Sequence, residues 1–550
     1  MKKSLNILIA QLNSISGNIE YNKNKVLDAI KKAKMQNSDL VVFPSQYLSA
    51  SNIQDIFKRF PYVIEQIKSA IEEIKANSKD IAILIDYPQI ENQKIINKTI
   101  LIENGKSLEI APINTLKFRE NKIFLATIED IKTNKFINCD LLLVKDISIS
   151  RTGREFERNN LLKNYAKANS TNLIWLNYIG AEGEFVYDGS SRMYNQKGDI
   201  IACLKSFEED LSLVNSIEGG KINPLISSNE KSNKFSLDYE FDLERTYKAL
   251  VLAISDYFSK NGFKKAVLGL SGGLDSTICA VLCADALGAE NVYGISMPSY
   301  LTSSTSKNDA KELSQNLGIN FFEVPIGEMK EVINSNLEKP FSNVKLKNNC
   351  PSYTQDNIQA RLRANILWAF SNEFERVLVI ATSDKSETYM GYATINGDMS
   401  GGYAPICDVT KTKLFALGHW INQNRTPKNV IPESILKKSP SAELALNPQT
   451  GKALLAEEAL MPYEFLDEVI WRIENLHQSI NDMMKEKFKY ENKNSIDEKQ
   501  KKAWLKKFFT RMQNAIYKWY ISAPSPIIDA YSINRKEYNL PIMTKIDYER

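Results

Sequence analysis

Near the middle of the chain three segments follow one another without a break: KKAVLGL, SGGLDS and TICAVLCADAL, residues 264–287. An apolar strand that runs through a glycine turn directly into an apolar helix is the building unit of a parallel sheet with helical crossovers. Three more apolar runs, VYGISM (292–297), NFFEVPI (320–326) and VLVIATS (377–383), alternate with helical patterns downstream. This half is therefore expected to be a doubly wound parallel sheet, with ligands beyond the carboxyl ends of its strands. The turn itself suits an anion. Gly272 and Gly273 let backbone N–H groups converge, and the helix N-terminus adds partial positive charge. Ser271 and Ser276 add hydroxyl donors, and Asp275 can hold a divalent cation against phosphates. No lysine stands where a kinase-type P-loop carries one. The plain alternative is a tight βα turn with a Ser/Asp cap, and what separates the two lies further along the chain.

At 550 residues the chain exceeds a single core. Residues 1–214 form a second α/β unit by pattern, alternating short apolar runs with helical spacing. LNILIAQL (5–12), DLVVFP (39–44), IAILID (81–86), LLLVKD (141–146) and NLIWLNYIG (172–180) are the runs, with VIEQIKSAIEEIKAN (63–77) a long amphipathic stretch. Residues 215–236 turn rich in Gly, Asn, Ser and Lys and are expected to be a linker, leaving 237–550 as the second domain.

Seventy basic and 66 acidic residues nearly cancel, so nothing calls for nucleic acid or a membrane surface, and no apolar run reaches transmembrane length. The six cysteines, at 139, 203, 279, 283, 350 and 407, show no CxxC or zinc spacing, which predicts a reduced, cytoplasmic protein. With only His419 and His477 present, histidine triads and histidine-rich metal sites are excluded as readings.

SGG-x-DS in its strand–helix setting resembles the pyrophosphate loop of the PP-loop ATP pyrophosphatases (adenine nucleotide α-hydrolase-like). Four further segments, MPSYLTSSTS (297–306), QDNIQARLRANILWAFSN (355–372), ATSDKSETYMGYATINGDMSGGYAPICDVTKT (381–412) and KKSPSAEL (437–444), occur in the order found in NAD synthetase. The resemblance implies ATP contacts at Ser271, Gly272, Gly273, Leu274, Asp275, Ser276, Thr382, Lys411 and Ser441. It implies Mg²⁺ at Asp275 and Glu387, and deamido-NAD near Asn357, Arg361, Glu387 and Lys518. Arg and Lys suit a dinucleotide pyrophosphate, and carboxylate oxygens suit Mg²⁺. The implied reaction adenylates the nicotinate carboxylate with ATP, then lets ammonia displace AMP. EEALMPY (457–463) and Trp519 depart from the family pattern, which bears on fine substrate contacts. Nicotinate mononucleotide stays open as the acid in place of deamido-NAD, and a homo-oligomer is expected.

The first domain is similar to the nitrilase superfamily, as found fused ahead of NAD synthetase in glutamine-dependent enzymes. LNILIAQLNSISGNIEYNKNKVLDAIKKAK, DLVVFP, TGREFERNNLL and YDGSSRMYNQKGDI carry the likeness, which implies an α-β-β-α sandwich. Active members use a Glu–Lys–Cys triad. Here the three positions read Ser45, Ile113 and Ile128, and the tyrosine that meets glutamine is replaced near Arg119. Cys139 and Cys203 lack the nucleophile's context and read as core residues, while Ser148 and Ser191 match serines that touch glutamine. The expectation is a synthetase fed by free ammonia, with a catalytically dead amidase domain as scaffold. A fully glutamine-dependent enzyme and a non-catalytic pseudoenzyme are the alternatives.

Overall fold

The computed structural model describes residues 5–50, 54–91, 94–110, 115–133, 138–218, 221–224, 239–343, 353–446 and 453–533. The chain divides into two compact units, Met1–Asp242 and Leu243–Arg550.

The first unit runs β1 (Leu5–Gln11), α1 (Ile19–Met35), β2 (Leu40–Val42), α2 (Gln54–Arg59), α3 (Val63–Ala76), β3 (Ala82–Glu91), β4 (Lys94–Glu103) and β5 (Lys106–Ile110). It continues with β6 (Thr115–Phe118), β7 (Asn121–Ala126), α4 (Ile128–Lys132), β8 (Leu141–Lys145), α5 (Arg154–Ala168) and β9 (Leu173–Leu176). Strands β10 (Ile179–Glu182), β11 (Phe185–Asp188), β12 (Arg192–Tyr194), β13 (Ile200–Cys203), β14 (Asp210–Glu218) and β15 (Lys221–Pro224) complete it. Two sheets result, ordered β15-β14-β1-β2-β3-β4-β5 and β13-β12-β9-β8-β7-β6, beside a β10–β11 hairpin.

Strand alternation makes the layers. Leu5, Ile7 and Ile9 pack with Leu141, Leu143 and Ile174 of the other sheet, while Leu8 and Ala10 face the α1 and α3 residues Val26, Ile30 and Ile67. On the second sheet Leu142 and Val144 turn outward onto Leu162 and Ala166 of α5. The order is helix, sheet, sheet, helix, as expected. One expectation is corrected. Asn215–Glu218 completes β14, with Ser216 opposite Leu5, and Lys221 pairs back against Glu218, so the tract from 215 begins as a sheet edge and not as a linker. Polar, glycine-bearing composition is common to edge hairpins and linkers, which is why the pattern misleads.

The second unit contains α6 (Tyr239–Asn261), β16 (Lys265–Gly269), α7 (Leu274–Leu287), β17 (Val292–Ser296), α8 (Ser304–Leu317), β18 (Asn320–Glu323), α9 (Gly327–Ser342), α10 (Thr354–Glu373) and β19 (Val377–Val379). Then follow α11 (Lys385–Tyr389), α12 (Lys411–Asn424), α13 (Glu433–Lys437), β20 (Ser441–Leu446), β21 (Ala453–Leu455), α14 (Ala456–Ala459), α15 (Tyr463–Leu476), α16 (Ile480–Lys485) and α17 (Glu498–Trp519). The main sheet is ordered β18-β17-β16-β19 and every pairing is parallel. Ala266, Val267 and Leu268 are fully buried, the continuous apolar run expected of a strand covered on both faces. Chain order reverses between β16 and β19, so the loop leaving β16 opens at the switch point. Helices α15 and α17 build an apolar core with Tyr389 and Met390 at the end of α11.

Candidate active site

The loop after β16 is the expected glycine turn. Gly272 has φ +74°, and a Cβ there would stand 2.2 Å from the Ser306 carbonyl oxygen, so only glycine fits. Ser271 Oγ accepts from Gly273 N at 3.2 Å, and Thr277 Oγ1 donates to Gly273 O at 2.7 Å, fixing the turn on the N-terminus of α7. The loop borders a cavity of about 260 Å³ that Thr382, Glu387, Lys411, Tyr392 and Arg363 also line.

At this cavity three acids converge. Carboxylate oxygens of Asp275, Asp384 and Glu387 lie within 4.8 Å of one another. The Lys411 ammonium sits among them, 2.7 Å from Asp275, 2.7 Å from Asp384 and 3.0 Å from Glu387. Asp384 is fully buried and caps α11, accepting from Glu387 N at 2.8 Å, so one short helix start aims two acids at one point. Burial raises the pKa of both Asp384 and Glu387, with Lys411 opposing. Burial works against the Lys411 charge, but the three carboxylates hold its pKa well above the ordinary lysine value. Tyr463 donates to Glu387 Oε1 at 3.3 Å, and Lys411 lies 5.3 Å from its ring centre. Three carboxylates against one ammonium leave excess negative charge in an all-oxygen donor set, which fits a hard divalent cation such as Mg²⁺.

Of the expected ATP contacts, the loop residues, Thr382 and Lys411 line the cavity. Ser441 begins β20 and its side chain lies outside the described residues, although Ser439 and Pro440 line the cavity. Of the residues expected near the acid substrate, Glu387 lines the cavity, whereas Asn357, Arg361 and Lys518 do not and instead hold the segment 391–395. Asn357 Oδ1 accepts from Thr394 Oγ1 at 2.8 Å, Arg361 Nε donates to Ile395 O at 3.2 Å, and Lys518 Nζ donates to Gly391 O at 2.8 Å and Ala393 O at 2.6 Å. Burial lowers the Lys518 pKa. Asp384 and Tyr463 were not among the sequence candidates. The Asp-x-x-Glu pattern of TSDKSE, a helix-start signature, is the signal that points to Asp384.

In the first unit, Ser45 follows β2 and its hydroxyl donates to Asp86 Oδ2 at 2.9 Å. Asp86 also accepts from Thr99 Oγ1 at 2.6 Å and Asn97 Nδ2 at 3.2 Å, and it is ion-paired with Lys145 of the opposite sheet. The pair is buried, with side chains 2% and 7% exposed. Ile128 opens α4 and packs against the core of Phe124, Leu142 and Trp175. Ile113 lies outside the described residues. Cys203 is buried, and burial pushes up the pKa of the Cys139 thiol, which leaves it a poor nucleophile. Arg119 ion-pairs with Asp39 and Glu103. Ser191 Oγ donates to Gln11 Oε1 at 2.8 Å, and the backbone N–H of Ser148 donates to Asn177 Oδ1 at 2.8 Å, so the Ser191 hydroxyl is engaged internally.

A parallel sheet, a glycine loop at its switch point and a carboxylate cluster beside it define a nucleotide-binding α/β enzyme of the PP-loop kind, here carrying an α-β-β-α sandwich ahead of it. A family model described as NAD synthase matches residues 246–509. The glutamine-dependent NAD(+) synthetase of Aquifex aeolicus is 35% identical, over 85% of this chain and 88% of that protein. That of Synechocystis is 32% identical, over 88% and 91%. The structure of the Acinetobacter baumannii glutamine-dependent NAD+ synthetase in complex with ADP aligns with TM-score 0.72 at 25% identity, covering 98% of this chain and 99% of that one. The Cytophaga hutchinsonii enzyme shares the fold, with TM-score 0.80 at 22% identity over 98% of each chain. The chain belongs to the family of glutamine-dependent NAD(+) synthetases. No helix among the described residues is long and apolar enough to cross a membrane.

Proposed function

We propose that the chain forms NAD from deamido-NAD and ATP, releasing AMP and pyrophosphate, and that it takes free ammonia in place of glutamine. The observation that carries the synthetase chemistry is the Asp275–Asp384–Glu387 cluster around Lys411, beside the SGGLDS loop. The nicotinate carboxylate attacks the α-phosphate, and the bond to the β-phosphate breaks. Loop amides and the Ser271 and Ser276 hydroxyls receive the leaving pyrophosphate, and Lys411 neutralises its charge. Asp275, Asp384 and Glu387 would hold Mg²⁺, which when bound spreads the charge developing on the phosphates. Ammonia then attacks the acyl-adenylate carbonyl, loses a proton, and expels AMP.

Ammonia as the nitrogen source is supported by the first unit. Ser45, at the position of the general base, is a hydroxyl held by Asp86, and Asp86 is saturated by Lys145, Thr99 and Asn97. Ile128 at the nucleophile position offers hydrocarbon only. The test is NAD formation from purified protein with ATP, Mg²⁺ and deamido-NAD, comparing ammonium with ammonia-free glutamine, with nicotinate mononucleotide as a second acid. Ammonium-driven synthesis without glutamine-driven synthesis is the expected result.

A further inference from the structure

Helix α11 is five residues long, and its side chains serve different neighbours. Its cap Asp384 and its residue Glu387 reach Lys411 at the cavity. Lys385, between them, is fully buried and reaches a separate acidic group. Its ammonium lies 2.9 Å from Glu474 of α15, 3.1 Å from Asp529, 3.5 Å from Asp408 and 2.7 Å from the Tyr531 carbonyl oxygen. The second oxygen of Asp408 accepts from Ile528 N at 2.8 Å and Asp529 N at 3.0 Å. Tyr389, at the end of the same helix, donates to the other oxygen of Glu474 at 2.7 Å.

A buried ammonium costs free energy unless it is paired and hydrogen-bonded, and here every described partner comes from α15, the loop before α12, or the segment 528–531. Lys385, Glu474, Asp408 and Asp529 do not line the cavity, so they do not meet the substrate there. What they fix is the helix. A five-residue helix has little stability of its own, and both acids that it presents must stay in place to within a fraction of an ångström to share one cation. We propose that Lys385 is a positioning residue for the cation site, drawing the C-terminal segment 528–531 onto α11 as a clamp that holds Asp384 and Glu387 in register with Asp275. The inference rests on reading those three acids as the Mg²⁺ site.

The test uses the full chain with Asp529→Asn, whose side chain is 31% exposed and can be solvated, and with Lys385→Met. Calorimetry with the α,β-methylene analogue of ATP gives the Mg²⁺ midpoint for nucleotide binding. Hydrogen exchange reports the backbone amides of residues 384–389. The clamp predicts a midpoint raised roughly 10- to 100-fold, the scale on which partners that orient metal ligands act, together with faster exchange in that helix. Asp529→Glu should restore both. A folded Asp529→Asn protein with the wild-type midpoint and wild-type exchange overturns the inference, and it decides the matter if Lys385→Met does not fold. Glu387→Gln is the control. If it leaves the Mg²⁺ midpoint unchanged, the cation-site reading fails and the clamp with it; if it shifts the midpoint and Asp529→Asn does not, the clamp alone fails.

Discussion

One oxygen of Asp384 accepts the backbone N–H of Glu387 at 2.8 Å, while the other lies 2.7 Å from the Lys411 ammonium. A single side chain thus starts α11 and ties it to the residue at the centre of the acidic cluster. Removing it should act on both. Asp384→Ala loses a helix cap, a change of about 1 kcal/mol, and frees Lys411 to move. We expect synthetase turnover to fall well beyond what the loss of melting temperature explains. Turnover that tracks only the folded fraction would show the link to be structural alone.

Asp275→Ala and Glu387→Ala should each abolish amide formation while leaving the fold intact, since Asp275 is on a helix start and Glu387 is part-exposed. Removing a preorganised stabiliser of developing phosphate charge costs a factor of ~100 or more in rate. Steady-state assays of the purified variants check this, and near-wild-type turnover in either would remove that residue from the site.

Adenylation before amine attack predicts an exchange reaction. Without ammonia, the protein should move labelled pyrophosphate into ATP only when the acid substrate is present. Formation of ADP and phosphate would contradict cleavage between the α and β phosphates.

Burial pushes the Glu474 carboxyl up to about 7, against the pull of Lys385. A raised folded-state value means that the folded protein binds this proton more tightly than the unfolded chain does. The associated stability is therefore present in acid and is lost as pH rises through about 7, on the order of 3 kcal/mol in all. Glu474→Gln lacks this loss. The stability of wild type minus that of Glu474→Gln should fall between about pH 5 and about pH 8, measured on the melting transition of the second unit. A difference that stays flat across that range would place Glu474 at an ordinary carboxylate pKa.

Asp86 and Lys145 are 59 residues apart and bring charge from opposite sheets into a buried pair. Asp86→Ala strands a buried ammonium and should destabilise the first unit by about 3–5 kcal/mol, whereas Asp86→Leu with Lys145→Met should recover most of that. Equal loss in the single and double variants would show that the pair contributes nothing beyond packing.

Such pairs mark the limit of what the sequence discloses. The SGGLDS loop was legible because two glycines between an apolar strand and an apolar helix admit few conformations, and Gly272 adopts the positive φ that only such a turn requires. The sandwich was legible because Leu5, Ile7 and Ile9 alternate with Leu8 and Ala10. Asp384 is partly visible, since TSDKSE carries an Asp-x-x-Glu helix start, but its contact with Lys411 is not. Tyr463 sat in a segment noted only for departing from the family pattern. Lys145 ends a strand, where a lysine reads as solvated, and spacing along one strand carries no information about a partner in the opposite sheet. The start of the linker was misread because an edge hairpin and a linker are built from the same polar residues.

We propose that the synthetase is driven by ammonia and that its first unit does not open glutamine. Hydrolysing that amide near neutral pH requires an acyl-accepting nucleophile, a base and a partner for the oxyanion. We propose that the base and nucleophile positions are those of Ser45, held by Asp86, and Ile128, packed against the core. The direct measurement is NAD produced per minute from deamido-NAD, ATP and Mg²⁺ with ammonium, beside the same reaction with ammonia-free glutamine and released glutamate counted. Synthesis with ammonium and background with glutamine are expected; comparable rates, with one glutamate released per NAD, would show a working glutaminase.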